Sequence, residues 1–168
     1  MITDPQRRGA ELASFYLAVE PRLYHDLEES GLFPRESLAE PEERAHREWE
    51  CLALYACVRG LVAAGGFNRE TALAIDALHE RVLAEWADEG LDGFDARRAR
   101  VAERYAEYGT LGQEGGAAGA HAVGLRLGSA CARHVANGAE PDARLAELLG
   151  GLHETLAEGA AEAVRTQE

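Results

Sequence analysis

Lysine is missing from this chain: all 17 basic residues are arginine, set against 30 acidic ones for a formal charge of −13. Without lysine there is no Schiff-base nucleophile, no anchor for pyridoxal phosphate and no phosphate-loop lysine. A genome rich in arginine and alanine codons is the favoured reason for this usage, with a salty cytoplasm as the alternative. The charge excess repels phosphate backbones and anionic lipid, so neither nucleic acid nor a membrane surface is expected as a partner. The densest basic group, Arg97, Arg98, Arg100 and Arg104, is hemmed in by Asp92, Asp95, Glu103 and Glu107.

Cysteine is scarce. Cys51, Cys57 and Cys131 are an odd number with no short paired spacing, which excludes a disulfide framework. On one helix, Cys51 and Cys57 would lie about 240° apart. Reduced thiols fit a cytoplasmic protein. No apolar run approaches the roughly 20 residues that span a bilayer, because Arg59 interrupts the longest, and the opening "MITDPQRRGAELASF" lacks a basic-then-apolar signal. A soluble, cytoplasmic chain is expected. Also lacking are the alternating pattern of strands, an internal repeat, G-x-G-x-x-G and G-x-S-x-G.

What is present is helical periodicity. Over 168 residues it predicts one all-α domain, a bundle of five to six mostly antiparallel helices. Asp4-Pro5 starts the first helix, with Leu12, Phe15, Tyr16 and Val19 inward. Pro21 breaks or kinks it before it resumes to Glu29. Pro41 starts a second helix that ends at Gly65-Gly66 and is apolar nearly all round from Trp49 to Ala64, as a central buried helix would be. Asn68 caps a third, with Ile75, Leu78, Val82 and Trp86 inside. A fourth is expected from about Asp95 to Tyr108, then a glycine-rich linker over 109–119 that is either plain spacer or hinge. The fifth, about Ala118–Ala136, carries Gly124, Gly128 and Ala132 on one stripe. The sixth starts near Pro141, with Leu145, Leu148, Leu149, Leu152 and Leu156 inside.

Four constellations could carry chemistry. Glu43-x-x-His46 and Asp76-x-x-His79 each stack an acid and a histidine on one helix face. Di-iron bundles of the ferritin type use Glu-x-x-His on two helices plus carboxylates from two others. Such a site would take iron, manganese or zinc; otherwise no cofactor is indicated. His79 paces close to its inner stripe, whereas Glu43 and His46 look solvated. Glu11 and Glu20, the acids available on the first helix, pace off theirs, so chance spacing in an acidic chain is the simpler account. Cys131-x-x-His134 could pair a nucleophile with a base, but Cys131 falls on the small-residue face as a packing residue. Arg59, inside the buried helix, needs a carboxylate partner or else anchors an anionic ligand. Together with His79 and Tyr105 it could line a pocket for a small apolar or anionic ligand, although aromatics at this spacing are more often core.

No catalytic set is complete, so the first expectation is an interaction module without catalysis. It would form a homodimer, or dock another protein, through the Gly124/Gly128/Ala132 stripe and a Leu148/Leu152/Leu156 face. The alternatives are a carboxylate–histidine metal-binding bundle and a carrier of a small ligand.

Overall fold

The computed structural model describes residues 2–34, 41–90, 93–114 and 119–165. Among them there are six helices and no strand: α1 (Pro5–Glu29), α2 (Pro41–Gly65), α3 (Arg69–Glu89), α4 (Phe94–Glu114), α5 (Gly119–Val135) and α6 (Ala143–Arg165). None is long and apolar enough to cross a membrane.

Local chemistry sets the ends. The Asp4 carboxylate accepts from the Gln6 amide at 3.1 Å and Pro5 occupies the first turn, where its missing N–H costs nothing. The Asn68 side chain accepts from the Thr71 amide at 2.9 Å to start α3. Asp142 accepts from the Arg144 amide at 2.9 Å to start α6. Asn137 and Gly138 adopt positive φ (54° and 81°) where α5 stops.

Two expectations change. Pro21 does not end α1, which runs through it to Glu29. The fourth helix does not stop at Tyr108: "GTLGQE" forms its last turns as far as Glu114. There Leu111, one turn beyond buried Tyr108, packs on the core and outweighs a glycine cost of about 1 kcal/mol per position. Positions 115–118 of the expected linker, and with them the hinge, lie outside the described residues.

Helix α2 runs through the centre and meets all five others. Its walls include Trp49, Leu52, Leu54, Cys57 and Leu61, all essentially inaccessible. The three most extensive helix pairs, α5 with α6, α1 with α3 and α2 with α6, each close on a glycine. A Cβ on Gly9 would stand 2.3 Å from the Ala74 carbonyl oxygen of α3, and one on Gly60 would stand 2.7 Å from the Ala157 carbonyl oxygen of α6. On Gly128 it would meet the Ala146 carbonyl oxygen at 2.3 Å and the Gly150 amide nitrogen at 2.5 Å. Side chains would hold these backbones apart; glycine lets them touch.

Candidate functional site

The central helix carries charge into the core one turn before its apolar stretch. Glu48 and Glu50 are only 3% and 2% exposed, and Glu20 of α1 is 6% exposed. A carboxylate out of water is tolerated only where cations or donors meet it, and here arginines do. Arg104 of α4 grips Glu48 with two bonds, Nε to Oε2 at 2.7 Å and Nη2 to Oε1 at 2.9 Å, and Arg100 Nε lies 3.5 Å from Oε1. Arg97 bonds both oxygens of Glu50, Nε to Oε2 at 3.1 Å and Nη2 to Oε1, while its Nη1 reaches Glu89 at 2.9 Å. Arg47 Nη1 adds a bond to Glu50 Oε1 at 2.9 Å. Its hydrogen bonds to the Glu48 carboxylate push the Arg104 guanidinium above its ordinary value despite burial. So the densest basic group of the sequence turns largely inward: three of its four arginines, Arg97, Arg100 and Arg104, neutralise two buried glutamates.

Beside this network sits a smaller group. His46 Nε2 lies 2.9 Å from Glu20 Oε1 and 3.9 Å from Glu50 Oε1, and its ring stacks on Tyr24 with centroids 4.1 Å apart. Burial works against a charged ring. The hydrogen bond and charge of Glu20, with Glu50 behind it, outweigh that and hold His46 above its ordinary pKa, while Arg47 opposes them. Donor atoms of Glu20, His46 and Glu50 all fall within 4.8 Å of one another. Among the described residues this is the one group of three or more histidine, cysteine or acidic side chains so arranged.

The sequence-based candidates divide between places. Glu43 is exposed and approaches Arg47 at 3.9 Å, away from the group that His46 joins. Asp76 is exposed on α3. His79 meets Tyr105 of α4, Nε2 to hydroxyl 2.8 Å, with burial lowering its pKa against the pull of Asp76. The two acid–histidine pairs therefore contribute one residue, His46, to the group, and its acids come from elsewhere.

Glu20 was paced off its stripe, yet it stands in line with Tyr16 and Tyr24, one turn from each, and all three are buried. The signal was that four-residue spacing. Glu48 likewise follows Ala45 by three positions and precedes Leu52 by four; their burial marks one face.

Of the pocket candidates, His79 and Tyr105 do meet, and Tyr55 packs edge-on to Tyr105 at 5.2 Å. Arg59 pairs with Glu154 of α6 instead and faces a groove of about 590 Å³ between α2 and α6 that neither His79 nor Tyr105 lines. Gly124 leaves room for this pair, since a Cβ there would stand 2.6 Å from Glu154 Cγ.

Cys131 is buried, its thiol pushed well up by desolvation and nearby Glu48; its Sγ lies 3.7 Å from the Glu48 carbonyl oxygen. His134 turns away to Glu107 at 2.6 Å, so no nucleophile–base pair forms. The small-residue stripe is occupied within the chain: Gly124 and Gly128 face α6, and Ala132 is buried. Leu156 is buried, while Leu148 and Leu152 pack partly against the same core.

No protein-family model matches this sequence, and comparisons with curated proteins and with solved structures found no match.

Proposed function

We propose that this bundle binds one divalent transition metal through Glu20, His46 and Glu50. The observation that carries the reading is the convergence of two buried carboxylates and an imidazole, from two helices, within 4.8 Å. Two carboxylates with one histidine suit iron, manganese or zinc. Glu20 is the telling member: its side chain is buried, and among the described residues His46 is its one side-chain hydrogen-bond partner. A single neighbouring proton leaves most of the acceptor capacity of a carboxylate unused. A metal ion would displace that proton, join Glu20 to the imidazole nitrogen and draw on Glu50. Arg97 and Arg47 would stay as outer partners of Glu50, as ligating carboxylates commonly have. They also compete for it, so binding is expected to be weaker than in a closed structural zinc site.

The test is titration of chelator-stripped full-length chain with zinc, manganese and anaerobic ferrous ion, followed calorimetrically. About one equivalent should bind to one of these metals, and Glu20→Gln and His46→Gln should each remove it. Glu43→Gln and His79→Gln should leave it intact, with circular dichroism confirming helical content throughout. Absence of binding for all three metals, or loss of binding in Glu43→Gln or His79→Gln but not in Glu20→Gln, would overturn the assignment.

A further inference from the structure

A second feature lies on the outer side of the glutamate–arginine network and stands independently of any metal. Between the start of α2, the end of α3 and the first turn of α4 is a cleft of about 690 Å³, within the roughly 300–1,000 Å³ typical of small-molecule sites. We propose that it binds a small organic anion, a single carboxylate carried on a flat apolar or aromatic body.

Phe94, partly buried, is the apolar wall, while Trp86 is almost wholly buried. The Arg97 guanidinium covers the Trp86 ring at 3.9 Å, so the flat surface offered to a planar body is this cationic plate backed by the indole. Arg97 already commits one N–H from each of its three nitrogens, three of its five donors, to Glu50 and Glu89. The recognition donors come from its neighbours. Among the described residues Arg100 makes only the 3.5 Å ion contact of Nε with Glu48, which leaves its terminal nitrogens to pair with a carboxylate. Arg47 spends Nη1 on Glu50 and approaches Glu43 at 3.9 Å, and among the described residues its Nη2 is not engaged. Phe94, Ala96 and Arg97 place the first turn of α4 on the cleft wall, and the amide dipoles there favour negative charge.

Charge balance decides which anion. Arg47, Arg97, Arg100 and Arg104 face Glu43, Glu48, Glu50, Glu89 and Glu103, with Asp95 on the first turn of α4, so no net positive field draws in a polyanion. What remains is local: unspent arginine donors beside a flat cationic plate. A monocarboxylate with a planar body fits that; a phosphate or polyphosphate has charge in excess and no planar body to stack on the plate.

The probe pair that isolates these elements is 1-naphthoate and its uncharged analogue 1-naphthamide, with inorganic phosphate as charge without a body. Each is titrated into full-length protein and followed by NMR. Saturable naphthoate binding is expected below about 1 mM. Naphthamide, which loses the charge-assisted hydrogen bonds, and phosphate, which lacks the planar body, should each bind at least about tenfold more weakly. Arg100→Gln should weaken naphthoate by about the same factor, since Arg104 continues to hold Glu48 and the fold. Arg47→Gln gives the same reading should Arg100→Gln fail to fold, and Glu20→Gln, aimed at the metal group, should leave naphthoate binding unchanged. No saturable binding, equal binding of naphthamide, or unchanged affinity in a folded arginine variant would overturn the proposal.

Discussion

The two halves of α2 bury opposite kinds of matter. From Ala45 to Glu50 the helix takes two carboxylates out of water and surrounds them with arginines; from Cys51 to Leu61 it buries Leu52, Leu54, Cys57 and Leu61 with scarcely a polar atom. In the apolar half, closeness stabilises by removing area from water, at about 25 cal/mol per Å². In the charged half the same closeness is tolerable only while every partner stays in place, because an unpaired buried charge is far costlier than a missing methyl group. Burial alone therefore does not say how a region is held. The charged half depends on directional pairing between α2 and α4, the apolar half on volume and on glycine-mediated contact with α6.

The strongest way to break the contrast is to remove one partner at each end. Glu50→Ala leaves Arg97 with Glu89 alone and Arg47 with only its distant approach to Glu43, and should cost about 4 kcal/mol in urea unfolding. Leu52→Ala, which removes a fully buried side chain, should cost about 3 kcal/mol. Pairing Glu50→Leu with Arg97→Met should recover part of the first loss, since removing both charges leaves less to compensate. No such partner change should rescue Leu52→Ala.

A proton sharpens the same contrast. His153 is fully buried on α6, its Nδ1 donating to the Leu52 carbonyl oxygen at 3.1 Å while Nε2 has no hydrogen-bond partner among the described residues. Desolvation, with Arg59 nearby, lowers its pKa to about 3. This is a histidine depressed below its unfolded value, so the folded state stays neutral where the unfolded chain takes up a proton. Its stabilising share is full above pH 6.5 and is lost as pH falls from 6.5 towards about 3. The loss approaches at most about 1.4 kcal/mol per pH unit. His153→Leu should flatten that part of the acid-unfolding profile, measured as urea midpoint against pH. An unchanged slope would mean that His153 gains access to a proton without unfolding.

The smallest effects come from neighbouring glycines of one helix contact. Gly128→Ala pushes a methyl against the backbone of α6 and should destabilise by about 1 kcal/mol, overpacking outweighing better helix propensity. Gly151→Ala, on α6 where nothing lies within 4 Å, should gain about 0.5 kcal/mol. Melting temperatures moving in the same direction would break this account of the α5–α6 junction.

Much of this was legible in the chain. Caps at Asp4 and Asn68, the glycines after α2 and the leucine stripe of α6 are local signals, and each element they mark is present. His79 and Tyr105, expected in one neighbourhood, do touch. The candidate metal group was half legible: His46 stood out, but its acids did not, because reading Glu43 with His46 assumed that ligands on one helix face belong together. The helix instead turns Glu43 to solvent, and His46 finds Glu20 across the α1–α2 junction, 26 residues away. Glu48 and Glu50 escaped notice because a hydrophobicity pattern scores any glutamate as surface, whatever cation waits on another helix.

The sequence by itself determined the helices, their caps and the burial of α2's second half, since these follow from period, propensity and apolar area, which are properties of neighbouring residues. Only the tertiary structure decided that three glutamates go inside, that Gly9, Gly60 and Gly128 are where helices touch, and that Trp86, Arg97 and Arg100 share a cleft. Those outcomes depend on which side chain from a distant helix arrives to meet a charge or leave a space, and long-range pairing of that kind is written in no local pattern.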